Sequence, residues 1–103
     1  MMEKLPPIHP GEVLLEDFLK PLGLSQTKLA LALRVPQQRV NEIVHGRRSI
    51  TVDTAMRLAA YFGTSAQVWL NLQTRYDVEK AEDERLAERI KVEVRPLERP
   101  SRA

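Results

Sequence analysis

Five polar side chains between positions 37 and 42 carry hydrogen-bonding groups that can read DNA bases. They are Gln37, Gln38, Arg39, Asn41 and Glu42. Glutamine and asparagine amides can bond adenine in two places, an arginine guanidinium can do the same to guanine, and a glutamate can accept from cytosine. If the segment is helical, at about 100° per residue, Gln38 and Glu42 point away from an inward side centred near Ile43. The segment therefore predicts a helix that presents a base-reading face.

Cationic and polar side chains around this segment predict contacts with a phosphate backbone. Between positions 25 and 48 there are five lysines and arginines against one glutamate, a local charge of +4. The side chains expected at phosphates are Ser25, Gln26, Lys28, Arg34, Arg47 and Arg48. N–H groups at the start of the helix that follows Ser25 are expected to add to this binding.

Residues 24–46 form the element that must position these side chains. Ser25 is expected to cap a first helix, and the chain turns at residues 34–36. Pro36 suits the first position of a second helix, because its missing N–H would have no partner there. Gly46 then ends that helix. We interpret the stretch as a helix-turn-helix rather than as an ordinary amphipathic hairpin, because of the corner spacing and the positive charge nearby.

Arg34 stands at the corner position that glycine usually fills in such motifs. If its φ is positive, the strain is on the order of 1 kcal/mol. Either the turn avoids that conformation, or the guanidinium recovers energy at a phosphate. The sequence leaves both alternatives open.

Composition sets the wider limits. The 103 residues suffice for one compact domain and a short tail, and the absence of cysteine excludes disulfides and thiolate metal sites. Without an apolar run of membrane length or a signal-peptide core, a soluble cytoplasmic protein is expected. The net charge is only +2, but residues 76–90 carry six acidic against three basic residues, a local charge of −3. A basic module followed by an acidic segment fits a DNA contact and a separate protein contact.

The remaining periodicity predicts an all-α domain of five helices. A first helix is expected from Pro10 to about Lys20, because Pro21 discourages helical geometry in the residue before it. Thr51 and Ser65 look like caps of the last two helices, and Trp69 is expected in the core. We therefore divide the chain into an N-terminal arm (1–9), a helix-turn-helix domain (10–80) and a charged C-terminal extension (81–103).

Residues 90–95 of the extension show an alternation typical of a strand. Ile90, Val92 and Val94 fall on one side, and charged residues fall on the other, with a period of two. A lone strand has no partner in a helical domain, so we expect it to pair with the same segment of a second copy or with a partner protein. A frayed tail is an equal alternative, and the last residues, from 96 on, are expected to be disordered.

Catalysis and metal binding are not indicated. The chain has two histidines, no cysteine, no glycine-rich phosphate loop and no serine with an evident histidine partner. A metal site would need His9 and His45 to converge with a carboxylate, and His9 is better explained as a local cap or a solvated ring. We expect a protein that is not an enzyme and needs no cofactor.

Several motifs together resemble one family. They are HPGE at 9–12, the helix-turn-helix, NEIVHGRRSIT at 41–51, TAMRLAAYFGTS at 54–65 and WLNLQTRYD at 69–77. Over about residues 8–80 the chain resembles the HigA antitoxins, Xre-type proteins of type II toxin–antitoxin modules. The resemblance implies a five-helix domain that binds its own operator as a homodimer and represses transcription. It also implies a complex with a HigB-like mRNA-cleaving toxin, whose activity it blocks, although no toxin contact can be carried over residue by residue.

Two other functions remain open from the sequence. One is a stand-alone Xre-type transcriptional regulator that has no toxin partner. The other is a protein-binding module in which the second helix of the helix-turn-helix does not contact DNA bases. A toxin-sized neighbouring gene would distinguish an antitoxin from a stand-alone regulator. A gel shift on the gene's own promoter would distinguish these two DNA-binding functions from the protein-binding module.

Overall fold

The structure is a computed structural model that describes residues 5–98. This part of the chain contains six helices. The first, α1, covers residues 10–22 in three contiguous segments, Pro10–Val13, Leu14–Leu19 and Lys20–Leu22. The others are α2 (Gln26–Leu33), α3 (Gln37–Val44), α4 (Val52–Phe62), α5 (Ala66–Asp83) and α6 (Leu86–Glu93). The all-α class is confirmed, and α6 is one helix more than the sequence predicted.

Helix α1 continues through Pro21, where we expected it to end. Proline lacks the N–H of a regular helical bond, and its ring collides with the carbonyl four residues back. The helix avoids this by widening into π geometry over Leu14–Leu19, so that the Lys20 N–H donates to Leu15 O, five residues back. Gly23, with φ +61°, then closes α1 after Leu22.

The helices meet around Trp69, which is 1% exposed. Its ring lies 5.2 Å from that of Phe18, and its Nε1–H donates to Thr64 Oγ1 at 2.9 Å. The core position expected for Trp69 is therefore confirmed, with its one polar group satisfied. The buried apolar set is Leu14, Leu19, Leu29, Ala30, Leu33, Val40, Ile43, Ile50, Ala55, Leu58 and Trp69.

The predicted helix caps at Ser25, Thr51 and Ser65 are confirmed. Each hydroxyl oxygen accepts from the backbone N–H three residues on, at 3.1, 3.4 and 3.2 Å. Pro36 differs slightly from expectation, because it is the N-cap of α3, with φ −61° and ψ 142°, and not its first helical residue. Local hydrogen bonds of this kind can be predicted from sequence because both partners lie within one turn.

The predicted strand at residues 90–95 is wrong. Ile90 and Val92 lie in α6, and Val94 follows it with its N–H donating to Ile90 O at 2.7 Å. No residue between 5 and 98 is in a strand. Most residues of α6, LAERIKVE, are leucine, alanine, lysine, glutamate or arginine, which favour helix, and a helix satisfies its own backbone where a lone strand cannot.

The predicted arm (1–9) and C-terminal extension (81–103) lie partly outside the described residues. Residues 5–9 are irregular, as expected for the arm, whereas 1–4 and 99–103 are not described. None of the helices in residues 5–98 is long and apolar enough to cross a membrane.

Candidate nucleic-acid interface

Helix α3 is fixed by its buried inner face. Val40 and Ile43 are 2% and 1% exposed, and they lie against the core that α1 and α2 complete. Gly11 of α1 makes the closest approach, since a Cβ built there would lie 1.7 Å from the Ile43 carbonyl oxygen. The absence of a side chain at Gly11 therefore sets how closely α1 crosses α3, a role that was not predicted from the sequence.

The outer face of α3 carries the predicted polar side chains. Gln37, Gln38 and Asn41 are exposed, whereas Arg39 and Glu42 are half-buried. Asn41 Nδ2 donates to Gln26 Oε1 at 3.1 Å, which links α3 to the first residue of α2. The start of α2 and the outer face of α3 therefore form one continuous polar surface.

Arg39 is held by a carboxylate from another helix. Its Nη1 donates to Asp53 Oδ2 at 3.1 Å, and Arg57 Nε donates to the same oxygen at 3.0 Å. These hydrogen bonds, from Arg57 first and Arg39 second, keep the pKa of Asp53 below its usual value. No role was predicted for Arg57 from the sequence, although its spacing of four residues from Asp53 on one helix is a recognisable ion-pair signal.

Glu42 and Arg48 are paired with each other. Arg48 Nε donates to Glu42 Oε1 at 2.7 Å, and Gln38 Nε2 donates to the other carboxylate oxygen at 3.3 Å. The hydrogen bond from Arg48 is the main reason that the pKa of Glu42 lies below its usual value. A base contact by Glu42 and a phosphate contact by Arg48 would each require this pair to open or to be shared with DNA.

The other predicted phosphate contacts lie at or near the ends of α2 and α3. Ser25 and Lys28 are exposed at the start of α2, and Arg47 is exposed just after α3. Gln26 is half-buried through its bond to Asn41. Arg34 is exposed at the corner between α2 and α3.

Gln73 of α5 holds the loop that carries Arg47 through a hydrogen bond to its backbone. Gln73 is 6% exposed, its Oε1 accepts from the Ile50 N–H at 2.8 Å, and its Nε2 donates to Asp77 Oδ1 at 3.0 Å. This glutamine had no predicted role. The only signal in the sequence was that this amide lies between buried positions of a helix. Such a position implies a hydrogen-bonding role, because buried polar groups are almost always hydrogen-bonded.

We expect Gln73→Leu to lower the free energy of unfolding by about 2 kcal/mol, because it leaves the buried Ile50 N–H without an acceptor. Chemical denaturation measures the loss. Asn71→Leu is the matched control, since Asn71 is exposed and accepts from Gln67 on its own helix. Equal stabilities for the two variants would contradict the role assigned to Gln73.

His9 lies beside the start of the same loop, since a Cβ built at Gly46 would lie 3.7 Å from His9 Cγ. Its Nδ1 accepts from the Gly11 N–H at 2.9 Å, which confirms the local cap, and its ring lies 4.8 Å from that of Tyr76. Burial lowers the pKa of His9, opposed mainly by the charge of Asp77. A neutral ring is what the cap needs, because Nδ1 must accept. Within residues 5–98, no group of three or more histidine or acidic side chains could hold a metal ion.

Arg34 adopts the left-handed conformation that the sequence left open. Its φ is 59° and its ψ is 45°, and it ends α2 with the Val35 N–H donating to Ala30 O. The turn thus does not avoid the strain. A phosphate contact by its guanidinium stays a prediction.

We expect Arg34→Gly to raise the free energy of unfolding by about 0.5–1 kcal/mol. Glycine removes the strain of the left-handed residue, but it also loses more conformational entropy on folding, which offsets part of the gain. The melting temperature should rise by roughly 2–8 °C, while DNA affinity falls through the lost cation. Arg85→Gly is the control for affinity, because Arg85 also has a positive φ, of 60°, but lies between α5 and α6. An unchanged or lower melting temperature for Arg34→Gly would contradict the assignment of strain.

The structure does not bring the predicted partner-binding residues together with this surface. Ile90, Val92 and Val94 are exposed on or just after α6. Helix α6 packs against α5, its neighbour in the chain, and buries none of its own residues.

The chain is similar to known helix-turn-helix proteins. The helix-turn-helix family HTH_3 matches residues 15–69. The chain is 56% identical to virulence-associated protein I of Dichelobacter nodosus over 82 residues, which are 80% of this chain and 76% of that protein.

Two solved structures are similar along nearly their whole length. One is an addiction module antidote protein of the HigA family from Coxiella burnetii, with a TM-score of 0.81 and 45% identity over 90% of this chain and 100% of that chain. The other is the Pseudomonas aeruginosa antitoxin HigA with the higBA promoter, with a TM-score of 0.81 and 45% identity over 88% of this chain and 98% of that chain. The resemblance to the HigA antitoxins drawn from the sequence motifs is thereby confirmed.

Proposed function

Because this chain belongs to the helix-turn-helix family HTH_3, we propose that it binds operator DNA through α3, represses its own transcription and acts as an antitoxin. The observation that carries the proposal is the two-sided character of α3. Val40 and Ile43 anchor one side in the core, while Gln38 and Asn41 stand exposed on the other. A rigid helix with an exposed polar face is what enters a major groove in this motif.

The proposed base contacts are those expected from the sequence. Gln37, Gln38 and Arg39 lie in the first turn of α3, the end that approaches the bases most closely in this motif. Asn41 and Glu42 follow on the same face. The proposed phosphate contacts are Ser25, Gln26, Lys28, Arg34, Arg47 and Arg48.

We propose that the protein binds as a homodimer. Two copies of α3 would then read a pseudo-palindrome with half-sites about one helical turn apart. If each subunit makes four cationic phosphate contacts, the dimer makes roughly eight, and the logarithm of the affinity should fall with the logarithm of the salt concentration with a slope of about −7.

A HigB-like toxin is the proposed protein partner, in line with the relatives named HigA. We assign DNA binding to residues 10–80 and leave the charged extension, 81–103, for a protein contact. Ile90, Val92 and Val94 stay proposed contacts of a partner or of the second copy, now as exposed side chains on or next to a helix and not as a strand. Such a role agrees with the cytoplasmic location expected from the sequence.

A gel shift on the DNA upstream of the gene, with and without the product of the neighbouring gene, tests the proposal. We expect a salt-sensitive shift with the protein alone and a further complex when a neighbouring toxin is added. A shift without any effect of the neighbouring product would indicate a stand-alone regulator. No preference for the upstream DNA over random DNA would contradict the DNA-binding function itself.

A further inference from the structure

We propose that Asp53 is a positioning residue that reserves Arg39 for base reading and keeps it from phosphates. The inference rests on the proposed function, since it concerns how the same surface discriminates among DNA sequences. Asp53 is itself not expected to touch a base.

A relay of three hydrogen bonds, that is, a static network around Asp53, joins α2, α3 and α4. The Leu33 carbonyl at the end of α2 accepts from Arg57 Nη1 at 2.9 Å, and Arg57 Nε donates to Asp53 Oδ2 at 3.0 Å. Arg39 of α3 completes the relay on the same carboxylate oxygen, at 3.1 Å. Asp53 is thus fixed by a residue that is anchored to backbone, and it can fix Arg39 in turn.

The pairing leaves Arg39 able to donate. A guanidinium has five N–H donors, and the bond to Asp53 engages Nη1 of Arg39. The Arg39 side chain is 30% exposed, so part of it still reaches solvent on the α3 face. A guanidinium fixed in this way keeps the planar donor pair that guanine O6 and N7 require.

The charge of Asp53 also opposes the competing contact. Phosphate binding depends on free positive charge and carries no sequence information. Because Arg39 and Arg57 share the Asp53 carboxylate, it lowers the positive charge around Arg39, and a phosphate gains less from approaching it. Removing the carboxylate should therefore free Arg39 to bind the backbone of any DNA.

Asp53→Asn tests this without changing the size of the side chain. We expect affinity for random DNA to rise and its salt dependence to steepen by about one phosphate contact per subunit. Affinity for the upstream DNA should not rise in proportion, so that its preference over random DNA falls by roughly 5- to 100-fold. A variant that merely unfolds would lose affinity for both DNAs.

Two further variants decide whether Asp53 acts through Arg39. Glu79→Gln is the matched control, because Glu79 also pairs with an arginine four residues away, Arg75, but on α5; it should leave the preference unchanged. In the Arg39→Ala background, Asp53→Asn should have no further effect on the preference. An equal effect with and without Arg39 would overturn the proposal.

The proposed function and this inference fail in distinguishable ways. If the unmodified protein does not prefer its upstream DNA, the proposed function is wrong and the inference goes with it. If the unmodified protein discriminates and Asp53→Asn discriminates equally well, only the inference is wrong.

Discussion

Gly11→Ala should destabilise the domain by about 3 kcal/mol or more and abolish sequence-specific DNA binding. The added Cβ would lie 1.7 Å from Ile43 O and 2.6 Å from Ile43 C. Both atoms are backbone, so no side-chain rotation can relieve the overlap. Helix α1 can accept the methyl group only by moving away from α3, which would displace the proposed base-reading face and open the core beneath it.

Thermal denaturation and a DNA titration measure the two effects, and Gly63→Ala is the control. Gly63 has a φ of +74°, and no atom of residues 5–98 outside its immediate neighbours lies within 4 Å of the place that a Cβ would take. Alanine there suffers only the left-handed strain, about 1–2 kcal/mol, and DNA binding should persist. A Gly11→Ala protein that melts no lower than Gly63→Ala would contradict the close approach of α1 to α3.

Arg39→Ala and Arg47→Ala should weaken DNA binding in different ways. Arg39 lies in the first turn of α3 and is oriented by Asp53, so its loss should reduce the preference for upstream over random DNA by roughly 5- to 100-fold per half-site. Arg47 is exposed in the loop after α3. Its loss should weaken binding to both DNAs by the same factor and make the salt slope shallower by about one contact per subunit.

Fluorescence anisotropy titrations of both variants on both DNAs, at several salt concentrations, measure this division. The unmodified protein sets the reference slope, and melting curves confirm that each variant is folded. Equal losses on both DNAs for both variants would contradict the separation of base reading from phosphate binding.

Features that depend on neighbours in sequence could be predicted. The caps at Ser25, Thr51 and Ser65 need only a hydroxyl and a backbone N–H three residues on. The exposed side of α3, with Gln38 and Asn41 outward, follows from helical periodicity once Val40 and Ile43 are taken as buried.

Features that depend on distant partners could not be predicted. Asp53 lies fourteen residues after Arg39, and Gln73 lies twenty-three after Ile50, so their hydrogen bonds exist only because the helices pack as they do. The steric need for Gly11 likewise depends on the path of α3. The sequence identified the polar face, but it could not show which of its side chains are held in place.

Local patterns mislead where two preferences compete. A period of two at residues 90–94 is typical of a strand, yet residues 86–93 are helical because a strand would have no partner among the helices. At Arg34, an energy of only about 1 kcal/mol separates the possible turns, which is too little for sequence reasoning to decide.

Amide chemical shifts, measured while the protein is titrated with its upstream DNA, report which residues contact that DNA. The proposed function requires contacts from the outer face of α3 and the start of α2. We predict that the largest changes fall at residues 25–28, 37–42 and 47–48. Changes confined to α5 and α6, with residues 37–42 unaffected at saturating DNA, would contradict it.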